Sequence, residues 1–96
     1  MPRGLARIRT PDQRQNLCGR QVRAQRKELR LSQAKLCDRL AQITDGHWNP
    51  SIYDLCRIEG GRRIVSDIEL TALSESLDID IYTLLGRLQK PLIHSD

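Results

Sequence analysis

The chain has 96 residues, enough for one small domain with a single core. It contains one tryptophan, two tyrosines and no phenylalanine, so its core must be aliphatic, which favours a helical bundle over a β-sandwich. No run approaches the roughly 18 apolar residues of a membrane span. We therefore expect a soluble, cytoplasmic protein with no membrane partner.

The formal net charge of +4 is unevenly distributed along the chain. Residues 1–35 carry ten Lys or Arg and two acidic residues, whereas residues 36–96 carry six Lys or Arg and ten acidic residues. A strongly basic half favours a polyanionic partner, although a basic surface that merely keeps the protein soluble is the alternative.

Three cysteines, Cys18, Cys37 and Cys56, form no C-x-x-C pair. An odd number of cysteines in a chain without a signal-like apolar segment indicates reduced thiols in a cytoplasm. Structural zinc sites usually show close ligand pairs, so we expect no metal and no cofactor. Cys37 and Cys56 are predicted to be small buried residues.

Residues 1–16 contain Pro2, Gly4 and Pro11, four arginines and little apolar periodicity. This composition predicts a basic, mobile N-terminal arm. The domain is predicted to follow at residues 17–88, with a short C-terminal tail at 89–96.

A first helix is predicted from about Cys18 to Leu29, with an apolar side and a basic side. The apolar side consists of Cys18, Val22 and Leu29, and the basic side of Arg20, Arg23, Lys27 and Arg30. Arg26 falls closer to the apolar side than its neighbours do, which indicates a partner for its charge.

A second helix is predicted from Ser32, a good cap, to about Ile43, where Thr44-Asp45-Gly46 ends it. Trp48 in the following break is expected to pack against the core. The next helix begins either at Asn49, before Pro50, or at Ser51, with Asp54 three residues on. It ends at about Glu59, because Gly60-Gly61 stops it.

Ser66 and Glu69 form a capping box that opens a helix through about Leu77. Its predicted buried set is Ile68, Leu70, Leu73 and Leu77. Asp80 caps a last helix, from Ile81 to about Leu88. Five helices without a convincing strand predict an all-α fold.

Several motifs together resemble the lambda-repressor-like helix-turn-helix family, which is also called the Cro/C1-type or xenobiotic-response-element family. They cover about residues 18–86 in the family's order. The motifs are Gly19-x-x-Val22-x-x-x-Arg26, Leu31-Ser32-Gln33-x-x-Leu36-Cys37-x-x-Leu40, Leu55-x-x-Ile58-Glu59-x-Gly61-x-Arg63, Val65-x-Asp67-x-Glu69-Leu70-x-x-Leu73 and Leu77-x-Ile79.

The resemblance implies a compact five-helix bundle in which the Ser32 helix opens the helix-turn-helix and the 51–59 helix is the recognition element. It also implies a buried ion pair between Arg26 and Glu59. The connection between helices 2 and 3 is longer than in typical members, so either the second helix is longer or residues 43–50 form a loop.

Where family members usually present polar side chains to bases, this chain has Ile52, Tyr53 and Asp54. Asp54 repels phosphates but can accept a hydrogen bond from cytosine N4, and Ile52 can contact a thymine methyl group. Alternatively, Asp54 serves as the capping partner of Ser51.

The leading functional hypothesis is a DNA-binding transcriptional regulator, a homodimer that places the 51–59 helix in the major groove of double-stranded DNA. Gln33, Tyr53 and Arg57 would contact bases or phosphates. Arg62 and Arg63 would contact phosphates, and Arg20 and Arg23 would add sequence-independent attraction. The full candidate set is Gln33, Ser51, Ile52, Tyr53, Asp54, Arg57, Arg62, Arg63, Arg20 and Arg23. The expected dimer surface is Ile81, Leu84, Leu85, Leu88, Leu92 and Ile93.

The competing hypothesis is a protein-interaction module that keeps the helix-turn-helix scaffold and uses Trp48, Ile52 and Tyr53 against a protein partner. An enzyme is the weakest interpretation. The two histidines lie in a predicted loop and the tail, and no cysteine has a neighbouring histidine to activate it.

Overall fold

The structure is a computed structural model that describes residues 8–86. Within that range the chain forms a compact all-helical globule with five helices and no strand, as predicted. The helices are α1 (Gly19–Glu28), α2 (Gln33–Ile43), α3 (Ile52–Glu59), α4 (Asp67–Leu77) and α5 (Ile81–Leu84).

Side-chain caps determine where four of the five helices begin. Each cap accepts a hydrogen bond from a backbone N–H of the first turn, which would otherwise lack a partner. At the start of α3, Ser51 and Asp54 form a complete capping box, so this helix begins after Ser51 and not after Asn49. The four capping residues are Ser32, Ser51, Ser66 and Asp80, all predicted from the sequence.

The long connection between α2 and α3 is a loop with its own hydrogen bonds. The hydroxyl of Thr44 donates to the carbonyl of Leu40 at 2.8 Å and accepts from the backbone N–H of Trp48 at 3.0 Å. Asp45 and Gly46 adopt positive φ, which turns the chain out of α2. The loop thereby brings Trp48 against the core.

The core is almost entirely aliphatic, as the composition requires. α1 packs against α3, α4 and α5, and α2 packs against α3 and α4. The buried apolar residues are Cys18, Val22, Leu36, Cys37, Leu40, Leu55, Ile58, Ala72, Leu73, Leu77 and Leu84.

Three predictions about burial and helix length were wrong. Ile68 is 77% exposed, because it lies in the first turn of α4 on the side away from Leu73 and Leu77. Cys56 is exposed on α3, whereas Cys37 is buried as predicted. The last helix ends at Leu84, and Gly86 has a positive φ of 73°, so the chain turns there.

None of the helices within residues 8–86 has the length and apolar character needed to cross a bilayer.

Candidate nucleic-acid interface

α3 has a buried side and an exposed side. Leu55, Ile58 and Glu59 face the interior. With 3.6 residues per turn, Ile52, Tyr53 and Cys56 fall within about 100° of one another, next to that buried side. Ile52 is 50% exposed, Tyr53 is 69% exposed, and Cys56 is also exposed. We call these three residues the α3 front.

The buried side of α3 contains the ion pair of Arg26 and Glu59. Arg26 Nε donates to Glu59 Oε2 at 2.7 Å, and Arg26 Nη2 donates to Glu59 Oε1 at 3.1 Å. A third guanidinium N–H donates to the carbonyl of Leu31 at 2.9 Å. The hydrogen bond with Glu59 raises the pKa of Arg26. This pair fixes α3 against α1 and the segment that leads into α2.

Gln33, at the start of α2, is attached to the same carboxylate. Its Nε2 donates to Glu59 Oε1 at 3.2 Å and lies 3.8 Å from the sulfur of Cys56. An open depression of about 720 Å³ lies where α1, α2 and α3 meet. Its lining residues are Arg23, Arg26, Ser32, Gln33, Cys56, Glu59 and Gly60. The structure thus brings Gln33 and Arg23 beside the α3 front.

Asp54 and Ser51, both predicted to contact DNA, are engaged with each other. The carboxylate of Asp54 accepts from the backbone N–H of Ser51 at 3.1 Å, and the hydroxyl of Ser51 accepts from the backbone N–H of Asp54 at 3.1 Å. The hydrogen bond from the Ser51 backbone lowers the pKa of Asp54. Their polar atoms therefore complete the start of α3.

Arg57 lies at the edge of the α3 front. Its guanidinium carbon is 5.7 Å from the centre of the Tyr53 ring, which is one helical turn away. Its Nη2 donates to the carbonyl of Arg62 at 3.3 Å. Arg62 itself is exposed. The exit of α3 is thus a basic border beside an apolar and aromatic surface.

Arg63 occupies a different environment from Arg62. Its guanidinium donates to both carboxylate oxygens of Glu69, at 2.9 and 3.0 Å, and lies 5.9 Å from the Trp48 ring centre. The hydrogen bonds of the pair raise the pKa of Arg63 and lower that of Glu69. Arg63, a predicted phosphate contact, therefore joins the exit of α3 to the first turn of α4.

The basic side of α1 borders the same region. Arg23 and Lys27 are exposed, while Arg20 forms an ion pair with Asp12. Hydrogen bonds from the Thr10 hydroxyl and from Arg20 lower the pKa of Asp12 to about 2. Arg20 is thus partly neutralised, and Arg23 and Lys27 supply the positive charge of this side.

The sequence analysis did not predict the roles of Arg14 and Asn16, because both residues lie in the segment predicted as a mobile arm. The guanidinium of Arg14 donates to the carbonyl of Glu59 at 2.8 Å. A Cβ at Gly19 or Gly61 would come within 2.6 Å of Arg14 atoms, so these two glycines make room for its side chain. No motif in the sequence indicated that Arg14 contacts α3.

The amide of Asn16 links α1 to the end of α3. Its Nδ2 donates to the carbonyls of Ile58 and Arg63, at 3.1 and 2.8 Å, and its Oδ1 accepts from the backbone N–H of Gly19 at 2.8 Å. The backbone N–H of Gln15 donates to the carbonyl of Gly61 at 2.7 Å. Residues 14–16 are therefore attached to the domain, and residues 1–7 lie outside the described residues.

The thiols differ in environment. Burial raises the pKa of Cys18 to about 11 and also raises that of Cys37, whereas Cys56 is exposed beside Gln33. Across residues 8–86, no cluster of three or more His, Cys, Asp or Glu side chains is arranged to hold a metal ion.

Comparison of the chain with protein-family models, curated proteins and solved structures gives no match.

Proposed function

We propose that the protein is a DNA-binding transcriptional regulator of the lambda-repressor-like type, in which α2 and α3 form the helix-turn-helix and α3 enters the major groove. The observation that carries the proposal is the position of the α3 front. It is exposed, it lies beside Gln33 at the start of α2, and basic residues of α1 and of the α3 exit border it. A major groove admits one helix, flanked by phosphates on both sides.

The electrostatics of this surface support a polyanionic partner. Its two nearby carboxylates are engaged, Asp54 in the α3 cap and Glu59 with Arg26. The exposed cations Arg23 and Arg62 supply the charge that phosphates require. Arg26 neutralises Glu59, whereas Asp54 keeps its charge, so an approaching anionic backbone meets more exposed positive than negative charge at this surface.

In this proposal Gln33, Tyr53 and Arg57 contact bases or phosphates, and Ile52 contacts bases. Arg62, Arg23 and the partly neutralised Arg20 contact phosphates. Asp54 and Ser51 shape the start of α3, and Arg63 has a structural role, because each is engaged within the domain.

The proposed regulator is a homodimer, since two recognition helices one turn of DNA apart read a palindrome. Of the predicted dimer surface, Leu84 is fully buried and closes the core, while Ile81 is 38% exposed and Leu85 is partly buried. Leu88, Leu92 and Ile93 lie outside the described residues. The dimer contact within residues 8–86 is therefore proposed at Ile81 and Leu85.

The test is binding of a random duplex library over a range of salt concentrations, followed by sequencing of the bound DNA. We expect affinity to fall steeply as salt rises. Arg57→Ala should weaken the selected site about tenfold and random DNA less. Arg39→Ala is a charge-matched control, because Arg39 donates to the carbonyl of Ser76 in α4, away from the α3 front. Affinity that is insensitive to salt would contradict the proposal.

A second candidate, a protein-interaction module, is favoured by one observation, the exposure of Ile52 and Tyr53. Apolar and aromatic side chains commonly anchor protein interfaces. Trp48 adds little to such a surface, because it packs against the core beside Arg63. A stable hetero-complex on size exclusion, with no duplex bound in a gel shift, would favour this function over the first.

A further inference from the structure

The α3 front offers apolar and aromatic groups where a groove-reading helix commonly presents charged or amide side chains. Ile52 is aliphatic, Tyr53 is aromatic, and Cys56 has a weakly polar thiol. Of the polar side chains next to them on α3, Asp54 is engaged with Ser51 in the helix cap. Direct readout by charged side chains of this helix is therefore restricted to Arg57, at the edge of the front.

The charges around the front indicate which apolar partner fits it. Arg23 lies beside Cys56, Arg57 lies over the Tyr53 ring, and Arg62 follows at the α3 exit. Of the neighbouring acids, Glu59 is paired with Arg26 and Asp54 is held in the helix cap. An apolar surface with a basic border complements an apolar group displayed between phosphates. In the major groove of duplex DNA that group is the C5-methyl of thymine.

Gln33 is suited to the same base pair. One of its amide N–H groups is taken by Glu59, and its Nε2 lies near the sulfur of Cys56 on the α3 front. The amide oxygen remains the group suited to accept from the N6 amino group of adenine. Because Glu59 is itself fixed by Arg26, the amide of Gln33 is oriented before DNA binds.

We propose that the α3 front reads C5-methyl groups in the major groove, with Ile52 as the principal contact, so that the chain prefers duplexes containing A·T base pairs. This inference rests on the proposed DNA-binding function and names the chemical feature that the helix recognises. Cytosine methylated at C5 presents the same group and belongs to the same class of ligand.

The test compares alternating duplexes of about 20 base pairs, or two helical turns. Their base pairs are dA·dT, dA·dU, dG·dC and dG·5-methyl-dC. Deoxyuridine lacks the C5-methyl group but pairs as thymine does. Affinity is measured by fluorescence anisotropy. We expect replacement of thymine by deoxyuridine to lower the affinity about fourfold for each methyl group buried. Methylation of cytosine should raise the affinity by a similar factor.

Ile52→Ala should reduce the difference between the dA·dT and dA·dU duplexes towards zero. Ile68→Ala removes an equally large side chain that is 77% exposed on α4, and it should leave the difference unchanged. Neither substitution disturbs the core, because both side chains lie at the surface.

Two outcomes separate the inference from the function on which it rests. Equal affinity for the thymine and uracil duplexes, with salt-dependent binding intact, would overturn methyl recognition and leave DNA binding standing. Absence of salt-dependent binding to all four duplexes would overturn both. A stable hetero-complex with another protein on size exclusion, with no duplex bound, would do the same.

Discussion

The two ends of α3 are held very differently. At the start, Ser51 and Asp54 hydrogen-bond to each other, and the front residues of the first turn, Ile52 and Tyr53, face solvent. At the exit, five consecutive or near-consecutive carbonyls accept hydrogen bonds from residues 14–16 and from Arg57. Those carbonyls belong to Ile58, Glu59, Gly61, Arg62 and Arg63.

The exit of α3 therefore positions the helix, and the start presents the residues that can contact a ligand. The exit is fixed to α1 through Asn16 and to α4 through Arg63, so the direction of the helix is determined there. The start has few constraints beyond its cap, so the residues on the exposed side are free to contact a ligand. Substitutions at the exit should therefore change stability, and substitutions at the front should change binding.

The largest effect at the fixed end is expected for Glu59→Ala. Removing this carboxylate leaves the buried Arg26 guanidinium without its ionic partner, and we expect the free energy of unfolding to fall by about 3 kcal/mol. Urea denaturation measures it. Glu75→Ala, an exposed acid on α4, is the matched control and should have almost no effect.

Replacing both partners of the pair, as Arg26→Met with Glu59→Leu, should recover much of the lost stability, since neither residue then leaves a buried charge. An unchanged denaturation midpoint for Glu59→Ala would show that the pair does not hold α3 in solution.

A smaller effect is expected for Gly61→Ala. Gly61 and Gly46 both have positive φ, 75° and 79°, but a Cβ at Gly61 would meet the Arg14 side chain whereas one at Gly46 would meet nothing within 4 Å. We expect Gly46→Ala to cost about 1 kcal/mol for backbone strain and Gly61→Ala about 2 kcal/mol, because Arg14 must also leave the Glu59 carbonyl.

A double-mutant cycle with Arg14→Ala checks the cause of this difference by chemical denaturation. In the Gly61→Ala background, Arg14→Ala should cost almost nothing, since its hydrogen bond has already been lost. Equal costs for the two glycine substitutions would show that residue 14 does not contact the α3 exit.

The smallest effect is expected for Glu69→Gln, which weakens the connection from Arg63 to α4. Arg63 lowers the pKa of Glu69 from its ordinary value of 4.5, so the ionised form is more stable in the folded protein. The pair therefore stabilises the fold fully above pH 4.5, and this contribution is lost as the pH falls through the lowered pKa.

We expect Glu69→Gln to cost about 1 kcal/mol at pH 7 and the difference from the wild type to shrink on acidification below 4.5. Thermal unfolding at a series of pH values measures this difference. A gap that is constant with pH would show that the pair does not contribute through its charge.

The helix starts were predictable because capping is local. Ser32, Ser66 and Asp80 lie within three residues of the N–H groups they bond, so spacing in the sequence was sufficient. For α3 two starts fitted the sequence, and the structure selects Ser51 because its box with Asp54 is complete. That α3 contacts DNA is a prediction from the resemblance and from the residues that border its front.

Contacts between distant segments were not predictable in the same way. The bonds of Arg14 and Asn16 to α3 span more than 40 residues, and apolar periodicity carries no information about them. Two burial predictions failed for other reasons. Ile68 lies on the side of α4 away from Leu73 and Leu77, and the burial of Cys56 was predicted from its residue type and not from its position on α3. The ion pair of Arg63 with Glu69 was likewise not predicted from the sequence.

The placement of Trp48 has a practical consequence for spectroscopy. It is the single tryptophan of the chain, it packs at the edge of the core, and the Arg63 guanidinium lies 5.9 Å from its ring. Its emission should therefore respond to rearrangement at the junction of α3 and α4 without an attached dye. The protein therefore contains an intrinsic optical reporter beside the α3 exit, so fluorescence can follow loosening of the scaffold in variants whose ligand binding at the α3 front is measured separately.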